Sequence, residues 1–141
     1  MVDQLNLKNQ VCFPVYTLAK EIINHYRPLL DELDLTYSQY LVLMVLWENE
    51  EQTVGQLGEK LVLDSGTLTP LLKRMEQKAM VVRKRSDQDE RVVKLSLTEK
   101  GKQLNDRAKE IPHRLMDSMK ITENELVELK DIITRILNKQ L

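Results

Sequence analysis

A mainly helical domain carrying one small β-hairpin is the fold class this sequence predicts. Three observations predict it. Apolar residues recur at spacings of three and four over most of the chain. Thr36–Gln39, Thr53–Gln56 and Thr122–Glu125 each read as a capping box that opens a helix. Period-two alternation appears after a polar turn, at residues 91–97.

The first helix is marked by Val11, Val15, Leu18, Ile22, Tyr26, Leu29 and Leu33. A second stripe of Cys12, Tyr16, Ala19, Ile23 and Leu30 runs beside it. Together they make a face wider than one partner helix needs, which suits either a monomer core or a dimer interface. Pro14 is out of place in that helix. Either the helix kinks there, or it begins at Pro14 and leaves Cys12 near a helix N-terminus. Asp34-Leu-Thr breaks the pattern, with Leu35 and Tyr40 placed as a hydrophobic staple around the next start. Leu41 to Trp47 is apolar all round, as a buried central helix is. A short helix follows through Val54, Leu57 and Leu61.

In "LDSGTLTPLLKRMEQKAM" the residues Leu68, Leu71, Leu72 and Met75 form one apolar face. Ser65, Gly66, Thr69, Pro70, Lys73 and Gln77 form the opposite face, with Thr67 and Arg74 at its flanks. The cap is either Asp64, with Pro70 tolerated a turn in, or Thr69, with Pro70 at the first helical position. "MVVRKRSDQDERVVKLSLTEKG" reads as a basic hairpin with a charged tip. Arg91, Val93, Leu95 and Leu97 alternate with Val92, Lys94 and Ser96. Thr98 caps a helix through Leu104, Ala108, Ile111 and Leu115 that is expected to kink at Pro112. Thr122 opens a last helix through Leu126, Leu129, Ile133 and Ile136.

The composition is that of a globular protein, with 42% hydrophobic and 30% charged residues. The 141 residues are one domain's length. No signal peptide or membrane span is apparent, and one cysteine makes no internal disulfide, so a cytoplasmic protein is expected. The formal net charge is −1, but its distribution is uneven. Between Thr69 and Lys102 ten basic residues face five acids, a net of +5, while the rest of the chain nets −6. This is a footprint for a polyanion, or else an ordinary solvated face.

A short helix, a tight turn, a helix with a polar outer face and a basic hairpin compose a winged helix-turn-helix. Small polar residues at the start of the second helix let its backbone approach base edges in the major groove. Lys73 and Arg74 reach phosphates or guanine. Arg83, Lys84 and Arg85 make the first hairpin strand basic. Arg91, beside Asp89 and Glu90, is the candidate for the tip. There a carboxylate holds a guanidinium extended toward the minor groove. The plain alternative is an exposed ion pair worth ~0–1 kcal/mol.

At these residues a family resemblance appears. "SDQDERVVKLSLTEKG", "LDSGTLTPLLKRMEQ" and "LTYSQYLVLMVLWE" resemble the MarR family of bacterial transcription regulators. The resemblance implies a homodimer on a pseudopalindromic double-stranded DNA operator, with a recognition helix at about Ser65 to Lys78 and a wing in the minor groove. It implies dimerisation helices at 5–34 and 98–141 around a DNA-binding winged helix at 36–97, all in one domain. "LKNQVCFPVY" further resembles the family's peroxide-sensing branch, the organic hydroperoxide resistance repressors and their staphylococcal global-regulator relatives. That branch carries a cysteine in the first helix and tyrosines that hydrogen-bond it. The matching positions are Cys12, Tyr26 and Tyr37, with Tyr16 nearby.

Chemistry bears on the same cysteine. A thiolate is the nucleophile toward peroxide, and hydrogen bonds from tyrosine hydroxyls suit it. Tyr26 lies 14 residues after Cys12, about 21 Å along a continuous helix. Its hydroxyl therefore reaches a cysteine of the other subunit or none. The expected function is a repressor that lets go of DNA when peroxide oxidises Cys12 and a low-molecular-weight thiol caps it. The alternatives are a regulator switched by an aromatic or lipid-like ligand, with Cys12 an inert small hydrophobe, and, more distantly, a thiol peroxidase. His25 and His113 are far apart in sequence, no cluster has metal-ligand spacing, and no phosphate loop or nucleophile elbow is present, so no cofactor, metal or enzyme activity is expected.

Overall fold

The computed structural model describes residues 3–141. A short 3₁₀ turn at Leu7–Asn9 precedes seven α-helices and three strands. In chain order these are α1 (Cys12–Asp31), α2 (Tyr37–Glu48), β1 (Glu51–Thr53), α3 (Val54–Leu61), α4 (Ser65–Gln77), β2 (Val81–Arg85), β3 (Val93–Leu97), α5 (Glu99–Ala108), α6 (Ile111–Met119) and α7 (Glu123–Asn138). Among these residues no helix is long and apolar enough to cross a membrane.

The helix starts follow local chemistry. Thr36, Thr53 and Thr122 each accept a hydrogen bond from the third helical amide, and their own amides donate to the side-chain oxygens of Gln39, Gln56 and Glu125. The staple residues Leu35 and Tyr40 are both buried. Helix α1 begins at Cys12, so Pro14 sits in the first turn, where amides have no partner within the helix. That fits neither a kink at Pro14 nor a start there, but Cys12 does stand at the helix N-terminus. Asp64 caps α4, its Oδ1 accepting from the Thr67 amide at 2.7 Å, and Pro70 lies within the helix. The expected kink at Pro112 is instead a break. Helix α5 stops at Ala108, and α6 starts at Ile111 with Pro112 as its second residue. Helix α2 is less enclosed than its sequence suggests, since Met44 is 37% exposed.

Packing divides the chain into two compact units. One comprises the chain up to Leu29 together with Glu110–Leu141, and the other is Leu30–Lys109. Helix α5, expected with the dimerisation helices, thus lies in the second unit. The reason is its close seat there. Trp47 Nε1 donates to the Gly101 carbonyl at 2.9 Å, and Arg107 donates to the Glu32 carbonyl at 2.9 Å.

The second unit is built on Leu43, Leu46, Leu57, Leu68, Leu72, Met75, Met80 and Leu95, all under 2% exposed. Its sheet has three antiparallel strands in the order β1-β3-β2, not the hairpin alone. Strand β1 pairs Glu51 with Ser96 and Thr53 with Lys94. Strand β2 pairs Val81 with Leu97 and Arg85 with Val93. Strand β3 begins at Val93, which leaves Arg91 in the turn rather than on the strand.

Asp34, Val62, Ala79 and Lys120 adopt positive φ, each just past a helix end. That conformation costs an L-residue roughly 1–2 kcal/mol. Val62, which follows α3 directly with φ 56° and ψ 46°, is the one β-branched residue among them.

In the first unit His25 Nδ1 is hydrogen-bonded to the Ser118 hydroxyl, tying α1 to α6. Leu18 shares a groove with Ile121, Leu129 and Ile132. Much apolar surface stays open in the single chain. Val11 is 74% exposed, Val15 61%, Ile136 52% and Leu137 60%.

Candidate nucleic-acid interface and cysteine site

Helix α4 turns its apolar face inward and its polar face out. Leu68, Leu71, Leu72 and Met75 are buried, while Ser65, Gly66, Thr67, Thr69, Pro70, Lys73 and Arg74 are all exposed. The 3.6-residue period thus places every α4 residue singled out in the sequence on the solvent side. The Asp64 carboxylate accepts from the Thr67 amide, which holds its pKa below the usual carboxylate range. It therefore stays ionised and keeps the first turn closed at neutral pH.

The hairpin presents the other half of the surface. Lys84 and Arg85 are exposed on β2, whereas Arg83 is half-buried with its Nε out of solvent. Lys84 pairs directly across from Lys94, and Glu51 on β1 offsets that repulsion with an ion pair to Lys94 at 3.4 Å. At the tip, Asp89 grips Arg91 in a fork. Nε lies 3.1 Å from Oδ1 and one terminal nitrogen 3.2 Å from Oδ2, while the Arg91 amide donates to Oδ1 at 3.0 Å. The Arg91 side chain is still 90% exposed. The turn beneath is closed by Ser86 N–H to Val92 O at 2.8 Å and by Arg85 to the Glu90 carbonyl at 2.8 Å. The geometry is a guanidinium pointed outward on a braced loop.

Cys12 is exposed at the first position of α1. Tyr16 lies one turn on, with the Lys20 ammonium 4.1 Å from its ring centroid. Tyr26 is half-buried on the same unbroken helix, so the chain does not bring its hydroxyl to its own Cys12. Tyr37 opens α2 in the other unit, and burial pushes its phenol above the ordinary value. The Tyr37 hydroxyl is thus protonated, a hydrogen-bond donor, across the physiological range.

Proteins similar to this chain include transcription regulators. Residues 24–108 match the SarA/Rot family of transcriptional regulators. AbfR from Staphylococcus epidermidis, solved on DNA in reduced and in overoxidised form, is 34% and 33% identical respectively. Each of those structures covers 98% of this chain, and this chain covers 96% and 97% of theirs, with a TM-score of 0.79 for both. SarZ of Staphylococcus aureus is 44% identical over 97% of this chain and 90% of its own. The organic hydroperoxide resistance transcriptional regulator of Bacillus subtilis is 48% identical over 96% of this chain and 92% of its own. This chain belongs to the MarR family. It is a DNA-binding transcription regulator of the kind that includes SarZ and the organic hydroperoxide resistance regulators.

Not every cation in the basic window of this MarR-family chain faces outward. Lys78 turns back, donating to the Asp34 carbonyl at 2.8 Å and to Gln39 Oε1 at 3.3 Å. Lys100 donates to the Lys78 carbonyl at 2.8 Å. Both are braces between elements, and counting charge along the sequence could not separate them from Lys73 and Arg74. Lys73→Ala is therefore expected to lower the salt slope of operator binding by about one and to leave the melting temperature unchanged. Lys78→Ala is expected to do the reverse, which thermal melts and salt-titrated binding of both variants would show.

Two features of the MarR-family site lay outside the sequence reading. Strand β1 has only three residues, "EQT", too few for a period, though its last residue, Thr53, is the cap that opens α3. Gly101 holds the base of the hairpin against α5. A Cβ there would stand 2.2 Å from the Met80 carbonyl oxygen.

Proposed function

We propose that the chain is a homodimeric repressor that holds a pseudopalindromic operator while Cys12 is reduced, and releases it once Cys12 carries a small thiol. The observation that carries this reading is the exposed Cys12 at the head of α1, in a unit whose α1 and α7 leave large apolar side chains uncovered. Uncovered apolar surface on this scale marks an interaction face, and a second copy supplies the cover. Each subunit would set α4 in the major groove and the Arg91 tip in the minor groove. The two recognition helices must then stand one helical turn apart, ~34 Å.

The chemistry balances with two co-reactants. The Cys12 thiolate attacks the terminal oxygen of an organic hydroperoxide. A sulfur–oxygen bond forms, the oxygen–oxygen bond breaks, and the alkoxide leaves as alcohol after taking a proton. Sulfur has lost two electrons and is a sulfenic acid. With no second cysteine in the chain, a low-molecular-weight thiol attacks that sulfur, a disulfide forms and water leaves. Tyr26 of one subunit, Tyr37 and Tyr16 are the hydroxyls assigned to hold the thiolate. The relative AbfR has been solved on DNA in its overoxidised form and, separately, with a disulfide formed. That an overoxidised relative was solved on DNA supports assigning release here to the bulkier mixed disulfide rather than to the small oxygen adducts.

The test is operator binding by wild type and Cys12→Ser, each with and without cumene hydroperoxide plus cysteine. Wild type is expected to release DNA and the variant to retain it. Release by Cys12→Ser would contradict the reading. Sustained consumption of hydroperoxide by wild type with the thiol would make the protein an enzyme instead.

A further inference from the structure

Val62 bears two unfavourable features at once. It holds φ 56° and ψ 46°, a left-handed conformation that suits glycine or asparagine and that a β-branched side chain resists. Its side chain is also 88% exposed, so no packing within the chain offsets the strain. The turn itself imposes the conformation. Both the Val62 and Leu63 amides donate to the Gly58 carbonyl, and a Cβ at Gly58 would meet the Leu63 carbonyl oxygen at 2.7 Å. Glycine thus stands at 58, where space requires it, and is absent at 62, where the backbone would favour it. Strain without internal compensation points to an external contact.

Position in the chain indicates which one. Val62 joins the two helices of the helix-turn-helix and lies three residues before Ser65, the first residue of α4. It is therefore within ~11 Å of that helix start. DNA seated on Ser65, Gly66 and Thr67 passes within reach. An isopropyl group offers no hydrogen bond, and the apolar feature of the major groove is the thymine methyl.

We propose that Val62 is a specificity residue that packs against a thymine C5-methyl group of the operator. This rests on the reading of α4 as the operator-binding helix. The test uses an operator selected from random duplex DNA by the reduced full-length protein. Each thymine is then replaced singly by deoxyuridine, which removes only the methyl group. Wild type is expected to lose about fourfold in affinity at one thymine per half-site, the worth of one buried methyl. Val62→Gly is expected to show no loss at that thymine and to melt at a higher temperature than wild type. Identical responses of the two proteins at every thymine would overturn the proposal alone. A lower melting temperature for Val62→Gly would show that the protein itself supports the valine, which also overturns it. A wild type that selects no sequence would overturn the operator reading, and this proposal with it.

Discussion

Arg91→Ala is expected to weaken operator binding roughly ten- to a hundredfold, the usual worth of one good groove contact, while the melting temperature and the dimer mass stay unchanged. The separation of these readouts follows from the geometry. The Arg91–Asp89 fork is fully at the surface, where an ion pair adds little to stability. What the fork does provide is order. Asp89 fixes both ends of the guanidinium and the Arg91 amide as well, so under the proposed docking of the tip in the narrow, negative minor groove little side-chain freedom is left to lose. Arg91 holds the Asp89 carboxyl below the usual carboxylate range. The fork is therefore complete at neutral pH and opens only as pH falls through that lowered value. Asp89→Asn should give a smaller loss, since the arginine survives without its brace. Anisotropy titrations and sedimentation of the variants check this. An affinity within twofold of wild type, or a dissociated dimer, would place Arg91 elsewhere.

A methyl group added at Gly101 is expected to cost about 3 kcal/mol of stability, the upper end for overpacking, and to lower the melting temperature by roughly 10 °C. The new Cβ would lie 2.2 Å from the Met80 carbonyl oxygen and 3.0 Å from Leu97 Cδ2. Neither neighbour yields easily. Met80 leads into β2, and Leu97 ends β3. Gly101 itself is held from both sides, its amide donating to Thr98 Oγ1 at 3.1 Å and its carbonyl accepting from Trp47 Nε1 at 2.9 Å. Relief must move the base of the hairpin or the seat of α5. Gly55→Ala is the control. Gly55 is exposed on α3 with space around it, so alanine there should stabilise by ~0.5–1 kcal/mol. Thermal melts of both variants decide the matter, and equal melting temperatures would contradict it.

The parts of the fold that were legible are those governed by local chemistry. The boxes at Thr36, Thr53 and Thr122 fixed helix starts because cap and partner lie within one turn. The outer face of α4 was legible because a one-sided helix states its orientation in its period. The rise per residue alone kept Tyr26 from its own Cys12. What could not be read depends on contacts distant in sequence. Lys78 is a brace only because α4 ends beside Asp34 and Gln39. Strand β1 exists because β3 offers it an edge. Pro112 starts a helix rather than bending one because α5 has already stopped at Ala108. Val62 was hidden because valine ordinarily favours extended backbone.

The claim that the state of one sulfur governs operator affinity is tested most directly by following both quantities in the same sample. Reduced protein on labelled operator is titrated with cumene hydroperoxide in the presence of cysteine. At each step the bound DNA is read by anisotropy and the mass at Cys12 by mass spectrometry. DNA release is expected to rise in step with the fraction of chains carrying a single cysteine adduct at Cys12. Release from chains whose Cys12 is unmodified, or an operator still held by chains fully capped at Cys12, would contradict it.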